Sequence, residues 1–509
     1  MSEKIVIGKL PPTIKNSGYS EAGASFSKRS LRAFNPVSAA PNEDIDWNNQ
    51  TLRERSRNLF MSSPIAASAI NTNRTNVIGQ GLILKAQVDR DILGISAEKA
   101  LEWQKHTEAE FNLWASDKRA CDATGVNDFY SIQQLALISW LLSGDSFCLF
   151  QYKDKTTFNP YKLRLHLIEA DRISTPLSHN PNGINLITDG NYNGNRIFDG
   201  VEIDKDGAIV AYHISNTHRS GTSYFTANSK WQRVLAYGEK TNSPNILHIM
   251  NSERPEQYRG VPYLAPVIET LLNTRRYTES ELTAAVIQSF FTAFITTENA
   301  EDGQPFNSPE GMGQQPVSRT EDEYELGPAN INIMNPGENI EFANPTRPTS
   351  NFDMFIKAMI RQIGSALEIP NELLVKEFSA SYSASRGALL EAWKAFRMRR
   401  DWIVNDFCNP VYAKWLDEAV AIGRISAPGY FYNPLIRKAW QGASWAGPAP
   451  GMLDPVKEIQ AENMAIAAGF STHKLSTAKL NGGDWDKNAE EIAAEAQKLN
   501  DLKITESEE

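Results

Sequence analysis

Residues 352–367 read FDMFIKAMIRQIGSAL, residues 371–387 NELLVKEFSASYSASRG, and residues 388–423 ALLEAWKAFRMRRDWIVNDFCNPVYAKWLDEAVAIG. In the first run Phe355, Met359, Ile363 and Leu367 recur every four residues, which predicts a helix with one apolar face. Ile369-Pro370 ends it, because the residue before a proline is pushed out of helical geometry. The third run predicts a much longer helix from about Ser385, with Leu389, Trp393, Phe396, Ile403 and Phe407 on one side. Pro410 lies inside it, removes a backbone donor and clashes with the carbonyl four residues earlier, so a kink is expected near Asp406–Pro410.

Between the helices lies a serine-rich loop carrying Lys376, Glu377, Ser379, Ser381 and Ser383. Long small-residue loops between ordered helices are uncommon unless their mobility is used. Arg386, Arg397 and Arg400 form a stripe on the long helix, with Lys394 at its margin. That stripe has two readings, a solvated or intersubunit salt-bridge face, or a positive lining turned toward a polyanion.

Outward from this unit, 509 residues allow roughly three domains. Hydrophobic content of 41 % and charged content of 22 % are those of a globular chain. The net charge of −10 lacks the Lys/Arg surplus with which a tight nucleic-acid binder neutralises phosphates, so any DNA contact is local and weak. Cys121, Cys148 and Cys408 are few, odd in number and far apart, which suggests neither a disulfide framework nor a cysteine metal site. No signal peptide is read at the N-terminus, and the longest charge-free helical stretch, Leu282–Thr297, has 16 residues where a membrane span needs about 20.

Along the chain, residues 1–50 show no sustained period and read as an arm, extended or partly disordered. Residues 51–78 read as helical, interrupted at Pro64, with Arg53, Arg55, Arg57 and Arg74 on the polar side. Strands and turn dipeptides dominate 146–251, a mixed, largely antiparallel sheet region in which Asp206-Gly207 is a hairpin turn. Residues 262–296 read as a long helix opened by Pro262, and 321–348 as short strands around Asn335–Glu338. After Gly423 come a Trp-rich segment and two short helices, one capped by Asp454-Pro455, the other starting near Asp484.

Catalytic signatures are sparse. There is no GxxxxGK[ST], HExxH or GxSxG motif, and no metal or cofactor is called for. His213 and the SxxK-spaced Ser471 and Lys474 are the candidates for a hydrolase, and both read more simply as satisfied or surface groups. Glu321, Asp322, Glu323 and Glu325 read as a solvated charge run.

The ordered set of Arg74–Leu82, Arg259-Gly-Val-Pro262, Gly327–Phe342, Arg361-Gln-Ile363, Leu367–Pro370, Ser381–Arg386, Asp454-Pro455 and Gly483-Asp484-Trp485 resembles the lambda-type portal family of tailed phages. The resemblance runs over roughly 50–500 and implies an α+β portal fold without enzymatic activity. A ring of twelve at a capsid vertex would surround a channel for packaging and ejecting double-stranded DNA. It also implies partners: the terminase large subunit, the major capsid and scaffold proteins, and head-tail adaptors, with no membrane. By position it divides the chain into a wing (51–261), stem helices (262–296 and 351–370), a clip (297–350), a tunnel loop (371–385), a long kinked helix with a return to the wing (386–449) and a crown with acidic tail (450–509), after an N-terminal arm (1–50). Lys376, Glu377 and the serines would face DNA, and the clip acids would face the motor and adaptors. The virion is the implied location, after assembly in the host cytoplasm. The rival readings are a non-ring scaffold or adaptor, and the hydrolase.

Overall fold

In the computed structural model, residues 23–25, 28–176, 189–219, 229–289, 293–297, 338–342, 352–378, 381–451, 454–481, 483 and 485–506 are described. The first helix, α1 (Pro41–Ser62), begins inside the expected arm: Pro41 fixes its first turn, and Glu43 and Asp44 complement its N-terminal dipole. Ser63 then breaks the run, and its hydroxyl accepts from Ala66 N–H to cap α2 (Pro64–Asn73). A π turn (Arg74–Ile78) leads through Gly79 into strand β1 (Ile83–Ala86).

Helices α3 (Ala97–Ala115) and α4 (Phe129–Ser143) are capped by Ser96 and Asp128, and α4 stops at left-handed Gly144. Eight strands follow: β2 (Asp145–Tyr152), β3 (Leu163–Ile168), β4 (Asp189–Tyr192), β5 (Asn195–Phe198), β6 (Val201–Ile203), β7 (Ile209–Ser215), β8 (Trp231–Leu235) and β9 (Ile246–Met250). They form a three-stranded sheet ordered β3-β2-β9 and a five-stranded meander β4 to β8. Every strand pairing is antiparallel, so the expectation of a mixed sheet is corrected; one isolated parallel bridge, Asp122 to Leu165, is all that departs among the described residues. From β4 to β7 short turns explain this, because a parallel neighbour needs a crossover of a dozen residues or more. The Asp204–Gly207 turn joins β6 to β7 as expected, with Gly207 at φ +85°.

After a 3-10 turn at Ala265–Val267, α5 runs over Ile268–Ser289. It ends sooner than the expected helix to 296. Residues Ala293–Thr297 are instead strand β10, antiparallel to β11 (Glu338–Phe342). The sequence AFITT is rich in β-branched and aromatic residues, and the partner strand overrides its helical spacing. Next come α6 (Phe352–Ala366), α7 (Asn371–Val375) and α8 (Tyr382–Ile403). The expected loop 371–385 therefore shrinks to 376–381, of which Ser379 and Ala380 lie outside the described residues.

A π turn at Val404–Cys408 joins α8 to α9 (Asn409–Ala421). Asn409 N–H donates to Val404 O across it, and Pro410, which has no N–H for the Asp406 carbonyl, follows at the second position of α9. The proline is thus accommodated by one wide turn within a continuous helical run. Strand β12 (Ala443–Ala446) pairs with β1, placing Trp445 opposite Leu84. Three helices close the chain rather than two: α10 (Pro455–Ala467), α11 (His473–Asn481) and α12 (Trp485–Glu506).

The larger core gathers Phe111, Trp114 and Phe129 from α3 and α4 around Phe407, Tyr412 and Trp415 of the π turn and α9, with Phe111 and Trp415 ring centres 5.1 Å apart. A second core lies between the two sheets, around Phe147, Ile173, Val201 and Tyr212. Of the described segments, α5 and α6 lead out of these cores. On α6, Ile360 and Ile363 are buried while Phe355 and Met354 are exposed; on α5, Leu271 is buried while Leu282 is 65 % exposed. Tyr277 of α5 stacks on Phe352 and meets Phe355 of α6 edge-on, so the two leave the body as a pair.

Candidate functional site

Two groups of residues define what this architecture can do: the segment between α7 and α8, and a buried ionic junction beneath α1. Lys376 closes α7 in the left-handed region, at φ +58°, and is exposed together with Glu377. Ser381, at the start of α8, and Ser383 are exposed as well, whereas Ser379 lies outside the described residues. Glu321, Asp322, Glu323 and Glu325 also lie outside them.

The basic stripe is only partly outward. Arg397 and Lys394 are exposed, Lys394 bonding Glu391 at 2.6 Å, and Arg386 is half-buried. Arg400 departs from the expected stripe and turns inward. Its guanidinium donates to the carbonyls of Val77 (2.9 Å), Asn76 (2.9 Å) and Pro448 (2.7 Å) and covers the Trp393 ring, and burial lowers its pKa to about 10. The Asn76 and Val77 carbonyls belong to the π turn after α2, and Pro448 lies beyond residue 446, so Arg400 fastens the long helix to the N-terminal helices and to a segment late in the chain. Arg399, unmarked in the sequence, is buried beside it: it donates to Asn73 Oδ1 (3.2 Å) and Glu368 (2.7 Å) and lies over Tyr263.

The junction was not legible as one. Arg53, expected on the polar side of its helix, is fully buried. It reaches Asp145 and Asp199, each at 3.4 Å, and donates to Ser143 O at 2.9 Å. Arg259 is fully buried opposite, bonding Asp145 at 2.6 Å and Asp199 at 2.7 Å and donating to the carbonyls of Ala170 and Ile173. Arg219 adds a 2.7 Å bond to Asp199, and His248 lies 3.5 Å from Asp145. On the outer side Arg57 contacts Asp171 and Glu169, with His218 at 3.6 Å from both. The glycines here are obligatory: a Cβ on Gly260 would lie 1.8 Å from Gly144 O, and one on Gly144 2.3 Å from Gly260 O. The signal that could have revealed the junction is polar rather than apolar. The buried face of α1 reads Ile45, Asp46, Asn49, Arg53, Ser56 and Leu59, a helical period carried by polar residues.

Burial alone would raise the carboxyl pKa values of Asp145 and Asp171. The Arg259 and Arg53 charges override it at Asp145, and His218, Arg53 and Arg57 do so at Asp171, holding both well below the usual range. Stability from such carboxylates is complete above their unfolded pKa, about 3.9, and is lost as pH falls below it. His218 is raised by its bond to Asp171, so its share is present in acid and lost as pH rises through its folded value; His248, lowered by burial, has the opposite sign. The two histidines act with opposite signs, while the carboxylates act together, so the thermal midpoint should fall steeply below about pH 4. A midpoint unchanged down to pH 3 would remove the junction from the stability of the fold.

Neither hydrolytic candidate is assembled. His213 is buried against Glu202 at 3.1 Å, which Arg233 also binds. Ser471 bonds Ser476 and Lys474 bonds Asp486, each at 2.8 Å. Glu169, Asp171 and His218 offer ligand atoms within 4.8 Å of one another, but the Arg57 guanidinium already supplies the cation there. No helix among the described residues is long and apolar enough to cross a membrane.

This chain is 24 % identical to portal protein B of Escherichia phage lambda over 490 residues, 92 % of this chain and 88 % of that protein. It is 23 % identical to the portal protein of Escherichia phage N15 over 488 residues, with the same coverage. Among solved structures it resembles a chain in the neck of an empty gene transfer agent particle, at 14 % identity and TM-score 0.48, covering 85 % of this chain and 95 % of that one. The family described as phage portal protein, lambda family, matches residues 27–400, and the chain belongs to that family.

Proposed function

We propose that twelve copies of this chain close into a ring at one capsid vertex, around a channel through which double-stranded DNA is packaged and later ejected. One observation carries the reading: α5 and α6 leave the body together with large apolar side chains exposed on their outer parts, among them Leu282, Met354 and Phe355. Fully burying one such side chain is worth about 1.5–3 kcal/mol, so a neighbour on each side is a strong stabiliser, and a closed ring gives every copy one.

In this reading α5 and α6 are the stem, and β10, β11 and the residues between them are the clip, which meets the terminase large subunit and then the head-tail adaptors. The sheets and α1 to α4 form the wing toward the major capsid and scaffold proteins. Assembly takes place in the host cytoplasm, and the ring is a conduit rather than an enzyme. An acidic chain repels phosphate, and a few exposed cations such as Lys376 give weak, exchangeable contacts to a duplex that must not stick. Replacing Lys376 and Glu377 together by Ala should leave rings intact in electron micrographs and reduce packaged or retained DNA several-fold. Wild-type packaging in that variant would take these residues out of the channel mechanism.

A further inference from the structure

The last three helices carry two apolar stripes that nothing among the described residues covers. On α12 (Trp485–Glu506), Ile492 is 57 % exposed and Leu499 59 %. They are seven residues apart, so they lie on one face separated by about 10.5 Å, and Ala489, Ala493 and Ala496 flank them with room for a close approach. On α10 (Pro455–Ala467), Val456, Ile459 and Met464 are 65 %, 44 % and 72 % exposed and span about 12 Å.

Internal contacts use other parts of these helices. Glu462 of α10 is buried and binds Ser476 (2.9 Å) and Lys479 of α11. Trp485, at the start of α12, stacks on His473 at 4.5 Å, and Lys474 binds Asp486. Helix α11 therefore holds both neighbours by polar and aromatic contacts and leaves each apolar stripe outward.

A cyclic ring joins copies head to tail, so each subunit must present two different, complementary surfaces. This chain end presents two, of similar length, one of them a ridge beside small residues. We propose that the α12 stripe of one copy packs on the α10 stripe of the next, making a continuous apolar belt around the end of the ring. The inference rests on the ring reading. It places the second contact beyond residue 400, where the family match ends.

Met464→Cys combined with Ile492→Cys, treated with a short bis-maleimide, tests it in the full chain. The native thiols do not compete: Cys121, Cys148 and Cys408 are buried, and burial pushes Cys121 up to about 12 and the other two higher still. The expected result is a ladder of covalent oligomers from the double variant, with each single variant remaining monomeric in denaturing gels. Micrographs of the same sample separate the two claims. Intact rings with no ladder would overturn the belt and leave the ring standing. Absence of rings in the untreated native chain would overturn the ring reading itself.

Discussion

Arg259→Met should destabilise the folded chain by about 3–5 kcal/mol, the cost of removing one partner from a buried ion cluster. The Arg259 guanidinium has no exposed surface, and it divides its donors between two buried carboxylates and the backbone carbonyls of Ala170 and Ile173. Without it Asp145 keeps Arg53 and His248, and Asp199 keeps Arg53 and Arg219, but the longer 3.4 Å contacts of Arg53 cannot replace bonds of 2.6 and 2.7 Å. Methionine fills similar volume, so the loss reads the charge rather than a cavity. Arg259→Lys should recover little, because an ammonium lacks the planar fork that spans both aspartates. The control is Arg254→Met, whose half-exposed 2.6 Å pair with Asp44 is worth at most about 1 kcal/mol. Denaturant titration of the three variants checks this. A loss for Arg259→Met no larger than that of Arg254→Met would contradict the junction's role.

Leu282→Asp combined with Met354→Asp should abolish ring assembly while leaving the subunit folded. Both side chains are nearly two-thirds exposed in the single copy, so their replacement should change subunit stability by no more than about 0.5 kcal/mol per site. In the ring each carboxylate would be buried against a neighbour without a partner, a cost of several kcal/mol repeated at every interface. The aromatic contacts of Tyr277 with Phe352 and Phe355, which hold α5 to α6 within the subunit, are left intact. Circular dichroism should be unchanged, and the sedimenting species should be a monomer. Rings of normal yield would show that these faces are not the intersubunit surface.

The parts of the fold legible in the sequence are those written in apolar period and turn chemistry. The helix at 352–366, the hairpin at Asp206-Gly207, the Asp454 cap and the break at Pro64 all belong to that kind. What was hidden depends on partners distant in sequence. Strand β10 takes its state from β11, more than forty positions later. Arg53 and Arg400 look like surface cations in a helical projection, and only the aspartates and carbonyls brought to them by folding turn them inward. A kink is expected near Asp406–Pro410 because the missing donor is a local fact, whereas the π turn that takes up the proline within a helical run is not written in the local sequence.

Light scattering on the purified full-length chain, over a hundredfold range of concentration, tests the central claim most directly. The account predicts a particle of twelve times the 56.8 kDa subunit mass, persisting on dilution. A folded species of 56.8 kDa at every concentration would contradict it.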